Sequence, residues 1–464
     1  MLRARGIGIG DTVAICLENH PWFFALTWGA QRAGLHYVCI SSRLTAPEVA
    51  YIVADSGARL LIGSSYLASV LDEVAKLTPD VPQLRFGGVG ELDAEAALCA
   101  MPCQPIADER AGVDMLYSSG TTGRPKGVML SHANMWLGAE SVATYLGLQP
   151  DDRALAVLPL SFDYGQNQLL SSWYAGASAV PLDYLTPRDL VKAVERHGVT
   201  TLAAVPPLWV QVAELDWPPE TAGKLRRLTN SGGALTPDLV KRLRTLFPQA
   251  RLFAMYGLTE AFRSTYLDPA LIDTHPTSMG KAIPHAEILV VNDGGEIAAD
   301  GEEGELVHCG PLVAQGYWQD AERTAERFKP APAASRYGGT AVWSGDRVRR
   351  DAEGLLYFAG RRDAMIKSAG NRISPQEIEE AALATGLVAE AVALGIADQR
   401  LGQAIHLVVR AAPGIENAME ELPAKLLQEL PNFMQPKHIH WREAMPIGPN
   451  GKIDRTGLQM ELAA

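Results

Sequence analysis

Short apolar runs of β type alternate with helical stretches along most of this chain, and that alternation constrains its fold more than any other feature. Val13–Leu17, Leu60–Ile62, Ala154–Leu158, Leu202–Val205 and Leu252–Met255 read as buried strands. Between them lie helical stretches such as Pro187–Glu195 and Pro237–Phe247, the second opened by Thr236 as N-cap and Pro237 at the first helical position. Such alternation predicts stacked, largely parallel sheets covered by helices. From about Ala286 the texture becomes hairpin-rich: Ile288–Val291 and Gly304–Val307 flank the turn sequence Asn292-Asp293-Gly294-Gly295, and Pro330–Gly339 reads as an exposed loop. Beyond Gly360 a compact α+β stretch follows. It holds a capping box at Ser374-Pro375-Gln376-Glu377, strands near Ala391–Leu394 and Ile405–Val409, and a helix near Met419–Leu430. The fold class is therefore α/β. Residues 1–360 form a large multi-subdomain body of stacked sheets with a β-rich subdomain, and residues 361–464 form a small α+β domain.

Composition narrows the function classes. The 464 residues carry 41 Lys+Arg against 53 Asp+Glu, a formal charge of −12, which argues against a nucleic-acid or anionic-membrane partner needing a basic face. With 47% hydrophobic and 20% charged residues the chain is too apolar for disorder. No apolar run reaches the length of a membrane span, and no apolar segment follows Met1-Leu2-Arg3-Ala4-Arg5-Gly6 as in a secretory signal. Five scattered cysteines (Cys16, Cys39, Cys99, Cys103 and Cys309) form neither a disulfide framework nor zinc spacing. A soluble cytoplasmic protein is expected.

The chemistry-bearing signal is Tyr117-Ser118-Ser119-Gly120-Thr121-Thr122-Gly123-Arg124-Pro125-Lys126-Gly127. Its glycines let backbone N–H groups approach phosphate oxygens, its hydroxyls add donors, and Lys126 adds charge. No Gly-Lys-Ser/Thr closes it, so it is not a Walker loop. Further motifs follow in order: Ser231-Gly232-Gly233-Ala234, Tyr256-Gly257-Leu258-Thr259-Glu260, Ser344-Gly345-Asp346, Gly360-Arg361-Arg362-Asp363 with Ile366-Lys367 and Gly370-Asn371-Arg372-Ile373, and Pro449-Asn450-Gly451-Lys452-Ile453-Asp454-Arg455.

This ordered set resembles the adenylate-forming ligases, which include acyl-CoA synthetases, luciferase and amino-acid adenylation domains. The resemblance covers nearly the whole chain. It implies activation of a carboxylate by ATP to an acyl-adenylate with release of pyrophosphate, then transfer to a pantetheine thiol. Ser118, Ser119, Gly120, Thr121, Thr122, Gly123 and Lys126 would cradle the phosphates, with Thr259 assisting. Gly232, Gly233 and Ala234 would border the adenine, with Tyr256 offering a flat face and Gly257 beside it in the cofactor site. Asp346 would accept from the ribose hydroxyls and Arg361 would reach ribose or phosphate. Glu260 would be the Mg²⁺ carboxylate, since such sites commonly use one or two carboxylates with phosphates and waters. Lys452 would bridge carboxylate and α-phosphate where charge develops. Asp363 would be the hinge about which the small domain turns, and Lys367 would open a loop lining the pantetheine route.

For the acid, Leu158-Pro159-Leu160-Ser161-Phe162-Asp163-Tyr164 resembles amino-acid adenylation domains, whose Asp pairs with the substrate's α-ammonium. Asp163 in a local turn or helix cap is the competing reading. Tyr164, Asn167, Trp209 and Gly233 are candidate pocket walls. Gln31–Ile62 instead resembles fatty and aryl acyl-CoA ligases, whereas the region from Ser161 resembles exosortase-associated AMP-ligases and prolyl-type carrier-protein ligases. An amino-acid-like substrate is thus expected, with a fatty or aryl acid, or an amine acceptor, as alternatives. The acceptor would be CoA or a phosphopantetheinylated carrier protein. The start at Met1 resembles the inside of the family's first helix, as if the usual first strand and helix were missing.

Overall fold

All six residues of the strand Thr12–Leu17 are buried, and they feed two cores alternately. Val13, Ile15 and Leu17 pack on one face of their sheet, whereas Ala14 and Cys16 pack on the other. A strand covered on both faces suits a parallel sheet between helices. In this computed structural model, which describes residues 1–101, 113–118, 126–361, 365–368 and 371–463, that sheet has six strands. Their order is Gln83–Phe86, Ala58–Ser64, Thr12–Leu17, His36–Ser41, Val113–Ser118 and Lys126–Ser131. Neighbours are parallel except the last pair, which is antiparallel and brackets the hydroxyl- and glycine-rich loop.

A second sheet of twelve strands joins a parallel half to an antiparallel half, with the short Phe328–Pro330 paired off the main path to Thr340–Arg350. Ser178–Pro181, Arg153–Ala156, Thr201–Ala204, Arg227–Asn230 and Arg251–Tyr256 are parallel neighbours. Thr265–Tyr266, Ser278–Ala282, Leu356–Arg361, Thr340–Arg350, Glu303–Cys309 and Glu287–Val291 continue antiparallel. Every strand expected in the body is present within one or two residues, apart from a shorter Arg153–Ala156. Pro159 cannot donate to a ladder, and the Asn19 side-chain amide lies 3.1 Å from the carbonyls of Ala156, Leu158 and Leu182, bending this segment out of the sheet. Thr236 caps the helix Pro237–Leu246 by accepting from the Leu239 N–H at 3.1 Å.

The small domain is a five-stranded sheet with helices Pro375–Ala384, Ala418–Glu429 and Arg455–Ala463. Its long strands Val388–Asp398 and Gly402–Ala411 are antiparallel neighbours, and Ile405, Leu407 and Val409 face one core while Val408 faces another. The expected capping box there does not form. Ser374 occupies the N-cap, but its hydroxyl is buried without a partner and sits 3.0 Å from where a side chain on Gly360 would begin. The hydroxyl packs against Gly360 and caps nothing. Boxes do form at Thr45/Glu48 and at Ser131/Asn134. The hinge candidate Asp363 lies outside the described residues. Among the described residues no helix is long and apolar enough to cross a membrane.

Candidate active site

Parallel strands of the second sheet end at a common rim, the place where open α/β sheets hold ligands. Arg227–Asn230 leads into Ser231-Gly232, and Arg251–Tyr256 leads into Gly257-Leu258-Thr259-Glu260. The helix Asp163–Tyr174 starts beside them. A cavity of about 220 Å³ lies at this rim. Lys126 reaches it from the first sheet, Asp346 and Arg361 from the antiparallel half, and Asn450 and Lys452 from the small domain.

Three charge clusters line the cavity. In the first, the Lys126 ammonium donates to the Tyr317 hydroxyl at 2.7 Å and lies 3.3 Å from Glu260 Oε1. Tyr317 in turn donates to Glu260 Oε1 at 2.6 Å. Burial alone would raise the Glu260 carboxyl, but Lys126 and Tyr317 outweigh it and hold the group below the usual range, ionised. Tyr317 is delivered by the segment 314–318, which bonds alongside Lys126–Ser131 through Gln315 to Met129 and Trp318 to Gly127.

In the second cluster Asp346 accepts from the Tyr256 hydroxyl, and Arg361 Nε stands 3.4 Å from its other oxygen. The Tyr256 ring is therefore tied through its hydroxyl and lies outside the cavity lining. Arg327 also lines the site, reaching across Gly345, where a side chain would begin 2.3 Å from its Nη1.

The third cluster is the most buried. Asp163 is the first residue of its helix, 4% exposed, and accepts from the Tyr164 N–H at 2.8 Å. The helix N-cap is Phe162, so Asp163 does not cap the helix; it bonds the adjacent N–H and lines the cavity. Arg263 Nη1 stands 3.6 Å from Asp163 Oδ2, and its guanidinium carbon lies 4.5 Å from the Tyr164 ring centre. Burial raises the Asp163 carboxyl, opposed by Arg263 and then Lys452. The Lys452 ammonium lies 5.2 Å from the Phe162 ring centre and fits against Gly232. Burial pushes it below the ordinary lysine value of 10.5, with Asp163 opposing. A step that needs this ammonium should fail as pH rises through the lowered value. If the site performs the adenylation that the motif resemblance implies, we expect adenylate formation to fall on the alkaline side at lower pH than a free lysine titrates, with no such limb for thiolation of supplied adenylate. A pH–rate profile of each half-reaction checks it.

Arg263 owes its place to an unusual turn. Phe262 has φ 58° and ψ −42°, and Arg263 N–H donates to the Ala261 carbonyl at 2.6 Å, a γ-turn of positive φ. Such strain costs about 1–3 kcal/mol. Burial of the Phe262 ring, worth about 1.5–3 kcal/mol, offsets it. The ring fills the gap left by Gly138, where a side chain would begin 2.2 Å from it.

Of the residues expected from sequence, Lys126, Gly232, Gly257, Thr259, Glu260 and Asp163 line the cavity together with Asp346, Arg361 and Lys452. Gly233 and Ala234 are exposed beside it. Tyr164, Asn167 and Trp209 are buried away from it, with Trp209 fully enclosed in the core and Tyr164 bonded to Thr229 at 2.7 Å. Lys367 is exposed on the strand Ile366–Ser368, outside the lining. Ser118 ends the strand Val113–Ser118, and Ser119, Gly120, Thr121, Thr122 and Gly123 lie outside the described residues. Sequence reasoning missed Arg263, Tyr317 and Arg327. The one signal was a charge inside Ala261-Phe262-Arg263-Ser264, directly after a recognised motif.

Known proteins resemble this chain over nearly its whole length. Residues 1–318 match the AMP-binding enzyme family and residues 377–452 its C-terminal domain. The chain is 30% identical over 458 residues to a feruloyl-CoA synthase of Amycolatopsis sp, covering 97% of this chain and 89% of that protein. It is 29% identical over 471 residues to tyrocidine synthase 2 of Brevibacillus parabrevis, covering 99% of this chain but 12% of that much longer protein. Its fold matches o-succinylbenzoate CoA synthetase of Bacillus subtilis, solved with an acyl-adenylate intermediate, at TM-score 0.82 and 25% identity, covering 99% of this chain and 90% of that one. With both family domains matched in order, the chain belongs to the AMP-binding enzyme family and is an AMP-forming, adenylate-making ligase.

Proposed function

We propose that the enzyme activates an amino-acid-like carboxylate and passes it to a pantetheine thiol of a carrier protein or CoA. The observation that carries this reading is Lys452. It enters, from the small domain, a cavity that also holds the Asp346–Arg361 pair, the Glu260–Lys126 pair and the buried Asp163. Adenylation brings two anions together, so concentrated positive charge in a cavity of low dielectric is what it requires. Asp346 and Arg361 take the ribose end, Thr259 and Lys126 the phosphates, and Lys452 the carboxylate and α-phosphate. ATP as co-substrate suits a cytoplasmic location.

Glu260 suits Mg²⁺. It is ionised, its Oε1 is engaged by Tyr317 and Lys126, and among the described residues no cluster of three or more acidic, His or Cys ligands competes. One carboxylate with phosphates and waters is a common Mg²⁺ arrangement, and the ion would supply charge neutralisation for the phosphates. Asp163 supports the amine. Its nearest cation stands at 3.6 Å, beyond hydrogen-bond reach, so the carboxylate keeps acceptor capacity toward the cavity. The small domain is taken to move about Asp363 between half-reactions, bringing the Lys367 loop to the thiol's path.

A second reading, an aryl acid carried to CoA, is favoured by the named product of the feruloyl-CoA synthase relative and by Arg263 already facing Asp163. Pyrophosphate exchange with amino acids, fatty acids and aryl acids decides. We expect amino acids to support exchange and Asp163→Asn to cut kcat/KM for them by about 10–100-fold, the loss of a charged hydrogen bond. Exchange supported only by acids without an amine would sink the amine assignment.

A further inference from the structure

Arg263 is 2% exposed and lines the cavity, yet its Nη2 has no hydrogen-bond partner. A buried guanidinium with an idle donor is costly unless something fills it. Were Arg263 only the counter-ion of Asp163, the two planar groups would close into the paired contact such ions favour. Instead Nη1 stops at 3.6 Å and Nη2 stays unpaired. The arginine is also held from every side. The Tyr164 ring supports its face, and Tyr164 is fixed by Thr229. On the chain, the Phe262 turn precedes it, and the following Ser264 is anchored by His308 Nδ1 at 2.9 Å and by its own N–H to the Tyr256 carbonyl. His308 is pushed down to about 3 by burial, so it stays a neutral partner.

Resting on the adenylation reading above, we infer that Arg263 is a substrate-binding residue whose Nη2 donates to the carboxylate of the acid. Charge counting supports it. At this end of the cavity Asp163 contributes −1, and Arg263 and Lys452 contribute +1 each. A zwitterionic acid adds no net charge, so its ammonium answers Asp163, its carboxylate answers Arg263, and one positive charge remains for the α-phosphate that Lys452 also meets. Arg361 and Lys126 are engaged at other ends of the cavity, by Asp346 and by Glu260. An entering amino acid exchanges ions: its ammonium takes Asp163, and its carboxylate takes the guanidinium that Asp163 had faced. A lysine cannot reproduce the planar fork that Arg263 presents.

The test is pyrophosphate exchange in the full-length enzyme, with acid and ATP varied separately, using whichever acid the screen identifies. For Arg263→Gln we expect the KM for the acid to rise about 10–100-fold, the worth of a charged hydrogen bond, with the KM for ATP unmoved. Arg263→Lys should show a smaller rise with the same selectivity, and the double variant Arg263→Gln/Asp163→Asn should be impaired beyond Asp163→Asn alone. A double variant no worse than Asp163→Asn alone would reduce Arg263 to a counter-ion and overturn the inference. A rise in the KM for ATP, or no change in either, would overturn it too. Should Arg263→Gln fail to fold, Arg263→Lys keeps the charge beside Asp163 and decides by the same selectivity. Absence of exchange in the unaltered enzyme with every acid would instead sink the adenylation reading.

Discussion

Lys452→Ala should lower adenylate formation by about 10²–10³-fold or more while leaving thiolation of a supplied acyl-adenylate near its normal rate. Loss of one donor aimed at developing transition-state charge costs that much in a dry site, and Lys452 is buried among charges. On the proposed reading its contribution would be confined to the step in which charge accumulates between carboxylate and α-phosphate. Pyrophosphate exchange reads the first half-reaction, and thioester formation from synthetic adenylate reads the second. Equal loss in both would contradict this division of labour.

Gly232→Ala should reproduce much of that defect without touching the lysine. A methyl group at 232 would sit 2.6 Å from Lys452 Cε and 3.2 Å from its Nζ, so the ammonium must move aside. The end of a lysine is flexible, hence the fold survives. Gly232 has φ 82°, and a side chain there adds about 1–2 kcal/mol of backbone strain. Misplacement of a reacting group by about 1 Å can cost about 10²-fold. Exchange should therefore drop on that order, with a modest fall in Tm by calorimetry and thiolation intact. Unchanged exchange would mean that Lys452 does not act from this position.

These two effects were half legible in the sequence. Lys452 and Gly232 stood in motifs that could be quoted in order, as did Asp346 and Glu260, because each sits in a short segment whose local chemistry is distinctive. The alternation of strands and helices likewise announced parallel sheets, since burial on both faces leaves a continuous apolar run. What stayed hidden depends on distant contacts. Tyr317 joins Lys126 across 191 residues and Glu260 across 57, and nothing near Tyr317 signals either partner. The walls assigned to Tyr164 and Trp209 pack in the core, Tyr164 because the next helical position turns away from Asp163 and Trp209 because its ring is enclosed on the separate helix Pro206–Ala213, while Asn167 is buried outside the cavity lining. Ser374 carried the sequence of a capping box, but its hydroxyl packs unpartnered against Gly360 and caps nothing.

The contact between Phe262 and Gly138 reaches beyond stability. Any side chain at 138 would begin 2.2 Å from the Phe262 ring, so bulk at one position excludes the aromatic at the other. The pair is therefore a two-letter code for the turn that aims Arg263, one letter on the helix His132–Leu146 and the other directly before the arginine. Sorting related genomes by that code would separate chains able to present this cation from those that cannot, before any pocket residue is compared.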